Sequence, residues 1–254
     1  MAERPLEGKL AIVTGGGTGI GRATAMRFAE DGAAAVALLG RRPEPLREVE
    51  REVTARGARA FVCPVDLTAA GEARRAVRES AASLGGLDIL VNNAGIYEPG
   101  TAVATDEETW DRILDTNLKS AFLCSKEAMN HLIPRGGGSI VNIGSYLGLV
   151  GTAQSAAYCA SKGGLVLLTK AMALDHARQG VRINCVCPGG VDTPMMRVSE
   201  PRPADLQRWA EEHPVGRVGT PDEVASLVAY VCSGASTWMT GAAIPLDGGI
   251  SAGW

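Results

Sequence analysis

The sequence predicts an α/β fold, a doubly wound parallel sheet (Rossmann fold) in three α/β/α layers, formed by one domain spanning residues 1–254. Three observations carry this prediction. Short uninterrupted apolar runs, such as Leu10–Thr14 and residues 35–39, have the length and composition of strands buried on both faces. Helical patterns alternate with these runs along the chain. Glycine or polar turns fall at the carboxyl ends of the runs, at residues 15–21, 40–42, 92–95, 144–145 and 188–194, where open parallel sheets place their ligands.

Composition narrows the function classes. A chain of 254 residues suffices for one large α/β domain, burying roughly three quarters of its unfolded surface. No internal repeat or linker divides it. The net charge of −3, the lack of a basic stripe and the low aromatic content argue against a nucleic-acid or anionic-membrane partner. Residues 1–9 lack the apolar core of a secretory signal, and the longest apolar run, 165–174, is broken by Lys170 and too short to span a bilayer. Cys63, Cys124, Cys159, Cys185, Cys187 and Cys232 are scattered through apolar patterns and read as buried thiols of a reducing, cytoplasmic compartment. Their spacing matches no metal site.

The first strand runs straight into Gly15-Gly16-Gly17-Thr18-Gly19-Ile20-Gly21, and a helical pattern follows to residues 31–32. Strand, glycine turn and helix are what a dinucleotide cradle needs: glycines let the backbone approach a pyrophosphate, and the helix start presents unpaired N–H groups. The second strand, 35–39, ends at Gly40-Arg41-Arg42. An NAD site places a carboxylate about 20 residues past the turn. Two guanidiniums stand there instead, and their planar fork suits a 2′-phosphate. NADP(H) is therefore expected, with NAD(H) as the alternative.

A helix over 44–56 precedes a third strand over 60–67. Asp66 either accepts from an adenine amino group or caps the helix expected from Thr68 to about residue 84. Strand four, 88–91, closes on Asn92-Asn93-Ala94-Gly95. Capping chemistry at 105–108 opens a long helix running to about residue 132. Asn117 lies inside it, where Asn is mildly unfavourable, so it is either a surface residue or a polar structural device. Strand five, 139–143, delivers Gly144-Ser145 to its carboxyl end. The next helix opens within 155–165 and carries Tyr158 and Lys162 four residues apart, hence on one face. A phenol titrates near 10 in water, and a cation fixed beside it favours the phenolate. Tyr158 is thus expected to act as general acid/base, with Lys162 lowering its pKa. Strand six, 181–186, has Cys185 and Cys187 on one side and leads into the loop 188–194. Residues 195–217, with Pro201, Pro203, Pro214 and a short helical pattern around Leu206 to Trp209, interrupt the alternation and are expected to form a lid. One more helix opens at Pro221, and a last strand spans 242–246.

From residue 10 to residue 249 these motifs resemble the short-chain dehydrogenases/reductases. The likeness lies in Thr14 to Gly21 (Thr-Gly-x-x-x-Gly-Ile-Gly), Asn92 to Gly95 (Asn-Asn-Ala-Gly), the mid-helix Asn117, and Ser145. Tyr158 with Lys162 (Tyr-x-x-x-Lys) and Pro188 to Thr193 (Pro-Gly-x-x-x-Thr) complete it. The resemblance implies an oxidoreductase with a tetrad. Tyr158 would exchange a proton with the substrate oxygen, and Ser145 would hydrogen-bond that oxygen. Lys162 would lower the tyrosine pKa and hold the nicotinamide ribose, and Asn117 would anchor a water in a proton relay. The hydride belongs to the cofactor.

Cofactor contacts implied by the likeness are Gly15, Thr18, Gly19, Ile20 and Gly21 in the turn, and Arg41 and Arg42 after strand two. Asp66, Leu67, Asn93, Ala94 and Gly95 belong with them, as do Pro188, Gly189, Val191 and Thr193, together with Tyr158 and Lys162. A basic residue just past strand two accompanies NADP(H) in the family, although many such members add a second one where this chain has Thr18. The expected substrate pocket is Tyr97, Leu147, Gln154, Met196 and Trp209 around Ser145 and Tyr158, mostly apolar and suited to a neutral or weakly polar carbonyl or alcohol. Leu174 and Asp175 stand where an acyl-carrier-protein reductase would show a basic docking patch. A homotetramer packed through the long helices and the last strand is implied as well. A non-catalytic dinucleotide-binding regulator would keep the fold without needing the four tetrad side chains.

Overall fold

The computed structural model describes residues 4–199 and 203–253. Seven strands form one parallel sheet: β1 Leu10–Thr14, β2 Ala35–Gly40, β3 Arg59–Pro64, β4 Ile89–Asn92, β5 Gly138–Ile143, β6 Val181–Pro188 and β7 Ala243–Leu246. Their order is β3-β2-β1-β4-β5-β6-β7. Winding therefore reverses between β1 and β4, paired through Ile12 and Leu90, and the crevice at their carboxyl ends is the switch point where such sheets bind ligands.

Successive strand side chains point to opposite faces, and both faces are covered. Ala11, Val13, Val36 and Leu38 pack with Phe28, Val49 and Val228 under α1 Gly19–Glu30, α2 Pro43–Ala55 and α9 Pro221–Cys232. Ile12, Leu39, Leu90 and Ile140 pack with Val77, Leu132 and Met172 under α3 Ala70–Leu84, α5 Ser120–Leu132 and α6 Ala156–His176. Such two-sided burial explains why these strands read as continuous apolar runs. Between β4 and α5 lies α4 Glu107–Leu114, and between β6 and α9 lie α7 Pro194–Ser199 and α8 Pro203–Glu212.

Local chemistry sets the helix starts. Asp106 caps α4 by accepting from the Thr109 N–H at 2.8 Å. Thr220 and Glu223 form a reciprocal capping box at α9, with Pro221 in the first turn. Two expectations need correction. The helix expected over 105–132 is broken by a π-helical turn, Asp115–Lys119, centred on Asn117, whose side chain is held by backbone outside the helix. The short helical pattern around Leu206 to Trp209 is part of a larger helical region, α7 and α8; residues 200–202 of the expected lid lie outside the described residues.

Candidate active site

The carboxyl ends of β1 and β4 are clamped together. The Thr14 hydroxyl accepts from the backbone N–H groups of Asn93 (2.9 Å) and Ala94 (3.0 Å). In return the Asn93 amide donates to the carbonyls of Thr14 (2.9 Å) and Gly15 (3.2 Å). This clamp leaves no space for a side chain at Gly15 or Gly21. A Cβ on Gly15, whose φ is +64°, would stand 2.8 Å from the Asn93 amide nitrogen, and one on Gly21 would stand 2.2 Å from the Gly15 carbonyl oxygen. Among the described residues no side chain caps the start of α1 at Thr18, and its first turn has no acidic residue. A tight, uncapped helix start of this kind matches what a pyrophosphate requires. Thr193, from the loop after β6, reaches this turn: its methyl would lie 3.2 Å from a Cβ on Gly19.

Arg41 and Arg42 are exposed past β2, and Asp66 is exposed past β3. The Asp66 carboxylate accepts from the Thr68 N–H at 3.0 Å and its hydroxyl at 2.9 Å. The Thr68 N–H bond holds that carboxyl below its ordinary range, and the Arg41 charge adds to the effect. Asp66 therefore closes a local turn rather than capping α3, which begins only at Ala70. Leu67 is buried, and Ala94 and Gly95 are half-buried.

Four expected residues meet at the adjoining strand ends. Ser145, buried past β5, accepts from the Leu147 N–H at 3.2 Å, and its hydroxyl acts on the Tyr158 phenol. The Tyr97 ring meets the Tyr158 ring edge-on, with centroids 5.0 Å apart, and its hydroxyl lies 3.2 Å from the Ser155 hydroxyl. Lys162 is buried; its ammonium donates to the Ile143 carbonyl at 2.8 Å and stands 5.7 Å from the Tyr158 ring centroid. Asn117 is buried too, accepting from the Ile96 N–H (2.8 Å) and donating to the Ile96 carbonyl (2.9 Å) and the Ser161 hydroxyl (3.1 Å). It is a polar structural device, and it shares a site with the lysine. A Cβ on Gly95 would lie 3.3 Å from the Asn117 carbonyl oxygen and 3.6 Å from the Lys162 nitrogen.

Electrostatics correct one expectation. Burial pushes the Tyr158 phenol up to about 12, and the Ser145 hydroxyl pulls it in the lowering direction. The same burial brings Lys162 down to about 8. With the ammonium turned to the Ile143 carbonyl, desolvation of both groups outweighs the attraction that i,i+4 spacing alone suggests.

The remaining expected pocket residues are spread more widely. Leu147 is buried beside Ser145. Gln154 is exposed in the left-handed region (φ 55°), its carbonyl accepting from the Gly100 N–H at 2.8 Å. Met196 is buried at the start of α7, its N–H 3.4 Å from the Thr193 hydroxyl. Trp209 lies against the loop after β6, where a Cβ on Gly190 would stand 3.0 Å from its ring. That loop is held by Gly189 N–H to Leu246 carbonyl (3.1 Å) and by Gly190 N–H to His213 Nε2 (2.9 Å), while Val191 is buried. Cys185 and Cys187 face each other with sulfurs 3.7 Å apart, packed against Gly144 as small core side chains.

Several supporting residues escaped the sequence reading. Thr14 was named only as the first residue of a motif, without its clamp, and Ser161 had only neighbourhood in its favour; the Ser161 hydroxyl donates to the Tyr158 carbonyl at 2.8 Å and receives Asn117. Asn92, Asn142 and Thr169 form a buried chain, Asn92 to Asn142 at 2.8 Å and Asn142 to Thr169 at 2.8 Å, tying β4 through β5 to α6. The available signal was an Asn inside an otherwise apolar strand. His213 was one of three histidines with no motif around it.

Residues 15–251 match the profile of a family described as "Enoyl-(Acyl carrier protein) reductase". The chain is 39% identical to cis-4-hydroxycyclohexanecarboxylate dehydrogenase of Sinomonas cyclohexanicum, over 96% of this chain and 97% of that protein. It is 37% identical to meso-2,3-butanediol dehydrogenase of Serratia marcescens, over 97% and 96% respectively. A short-chain type dehydrogenase/reductase from Mycobacterium marinum superposes with a TM-score of 0.92 at 36% identity, covering 99% of this chain and 98% of that structure. The chain belongs to the short-chain dehydrogenase/reductase family. It is an oxidoreductase that acts on CH–OH groups of small alcohols or on the corresponding ketones, with NAD(H) or NADP(H). Among the described residues no helix is long and apolar enough to cross a membrane, and no group of His, Cys, Asp and Glu side chains could hold a metal.

Proposed function

We propose that the protein is an NADP(H)-dependent ketone reductase or secondary-alcohol dehydrogenase working through Asn117, Ser145, Tyr158 and Lys162. The observation that carries this reading is the grouping of Ser145 and Tyr158 with a buried ammonium at the carboxyl edge of the sheet, next to a glycine turn with no room for a Cβ at Gly15 or Gly21. A bound nicotinamide supplies or accepts the hydride. In reduction the Tyr158 phenol, protonated through the neutral range, donates its proton to the substrate oxygen, and Ser145 orients that oxygen by a hydrogen bond. Lys162 supplies positive charge near the oxygen as negative charge develops there. Asn117, fixed through both polar groups of Ile96, keeps the π turn shaped around the lysine and anchors the water of the relay.

Arg41 supports NADP(H), as the guanidinium nearest the end of β2, with Arg42 beside it. A charge-assisted hydrogen bond contributes about 1.5–3 kcal/mol, so Arg41→Ala is expected to raise KM for NADP(H) roughly 10- to 100-fold while NAD(H) kinetics hardly change. Initial rates at 340 nm with each nicotinamide, over a panel of small cyclic and acyclic ketones and secondary alcohols, provide the test. Equal loss with both cofactors, or faster turnover of NAD(H) by the unmodified enzyme, would overturn the phosphate-clamp reading. The names of the two relatives, one acting on a hydroxycyclohexane and one on a butanediol, support a small, weakly polar substrate. The Tyr97 ring against Tyr158 and the buried Leu147 beside Ser145 support the same choice.

A homotetramer is part of the proposal. Leu167 and Leu174 on α6 are 67% and 84% exposed, and Phe122 on α5 is 41% exposed, an apolar surface that self-association would cover. Light scattering is expected to give four times the chain mass, and a monomer at micromolar concentration would contradict it. Six free thiols, five of them buried, support a reducing, cytoplasmic compartment. Residues 195–217, with α7 and α8, are the proposed substrate lid.

A further inference from the structure

We infer that His213 is a positioning residue, a neutral imidazole that pins the loop after β6 to α8 and so couples the proposed lid to cofactor affinity. The inference rests on the reading of Pro188, Gly189, Val191 and Thr193 as cofactor contacts. His213 follows the last residue of α8 and is 2% exposed. Its Nδ1 lies 2.6 Å from the Trp209 carbonyl oxygen, which can only accept, so Nδ1 carries the proton. Its Nε2 lies 2.9 Å from the Gly190 backbone nitrogen, which can only donate, so Nε2 is bare. The two contacts together admit a single state of the ring, the neutral Nδ1–H tautomer.

The seat is shaped for that ring. A Cβ on Gly189 would stand 2.7 Å from Nε2, one on Gly190 3.0 Å from Cε1, and one on Gly248 3.4 Å from Cδ2. Small residues from the loops after β6 and β7 thus make room for an imidazole arriving from α8. Downstream of the pinned Gly190, the loop runs through Val191 to Thr193, which touches the glycine turn at Gly19. The other bonds of this stretch go elsewhere: the Gly189 N–H to Leu246, the Gly190 carbonyl to the Gly219 N–H at 2.8 Å, and the Asp192 N–H to the Gly219 carbonyl at 3.0 Å. His213 therefore supplies a side-chain hydrogen bond between the end of α8 and the backbone that leads to the phosphate cradle. When α8 is seated, the Gly190 N–H is satisfied and Thr193 is held over the turn. Without the imidazole that donor loses its acceptor, and the loop keeps only its backbone ties to Leu246 and Gly219.

The test compares His213→Ala with His213→Gln, whose side-chain carbonyl can reach the Nε2 position and accept from Gly190. In His213→Ala the dissociation constant and KM for NADP(H) are expected to rise about tenfold, with kcat at saturating cofactor within about twofold of the unmodified enzyme. His213→Gln is expected to restore both constants to within about threefold. A merely structural role would lower the folded fraction, and with it kcat, without moving KM. The ¹⁵N spectrum of histidine-labelled, unmodified enzyme is expected to show His213 with Nδ1 protonated and Nε2 bare. The inference is overturned if Nε2 carries the proton, if His213→Ala leaves cofactor KM unchanged, or if His213→Gln behaves like the alanine variant. If the unmodified enzyme binds neither nicotinamide, the cofactor reading of the loop fails and the coupling fails with it, although the ring spectrum still reports the His213–Gly190 bond.

Discussion

Tyr158→Phe is expected to lower turnover by at least about 10²-fold in both directions while leaving cofactor affinity within a few-fold of the unmodified enzyme. Phenylalanine keeps the ring that packs edge-on against Tyr97 and removes only the phenolic oxygen. The effect should also depend on pH in a defined sense. Burial raises the phenol to about 12, so it is a proton donor throughout the neutral range. Reduction, which needs that donor, is expected to stay level from neutral to mildly alkaline pH. Oxidation needs the phenolate, so its rate is expected to climb with pH through the alkaline range, and the climb is expected to vanish in Tyr158→Phe. Normal turnover by the variant would remove Tyr158 from the chemistry, and an unaltered alkaline rise would assign that titration to another group.

Lys162→Met is expected to leave a different signature. Methionine fills most of the space of the lysine stem without its charge. Turnover is expected to fall about 10²-fold because charge stabilisation at the developing oxyanion is lost. Cofactor KM is expected to rise about tenfold as well, since the ammonium is the proposed partner of the nicotinamide ribose. Loss of turnover with unchanged cofactor affinity would separate Lys162 from the ribose. Stability should move the other way. The folded-state pKa, brought to about 8 by burial, lies below the ordinary lysine value of 10.5. The unfolded chain therefore holds this proton more tightly between those values, and the lysine contributes stability that rises with pH from about 8 upward. Below pH 8 its buried charge opposes folding in full, so at neutral pH Lys162→Met is expected to melt no lower than the unmodified protein. A clear drop in Tm would show that the Ile143 hydrogen bond outweighs desolvation.

The frame of the molecule was legible because its strands are buried on both faces. Continuous apolar runs such as 35–39 and 89–91 cannot belong to a solvent-facing sheet, and the glycine turn after Thr14 has one sterically sensible use at such an edge. The four residues Asn117, Ser145, Tyr158 and Lys162 could be nominated from motif and spacing. Their surroundings could not, because the decisive partners are remote in sequence. Thr14 receives the N–H of Asn93 from 79 positions away, and Asn92 reaches Asn142 from 50. The π turn at Asn117 was hidden because the apolar pattern continues across it, while the cause, Ile96, lies in a preceding loop. Spacing placed a cation four residues from a phenol, yet the titration of both is dominated by burial, which spacing does not measure.

Whether the Tyr158 and Ser145 hydroxyls serve one substrate oxygen is tested most directly by a double-mutant cycle on turnover with Ser145→Ala and Tyr158→Phe. Groups that share one oxygen act as a unit, so the double variant is expected to turn over about as slowly as the slower single variant, far from the product of the two losses. Fully multiplicative losses would contradict a common target and with it the hydroxyl-pair chemistry proposed for this site.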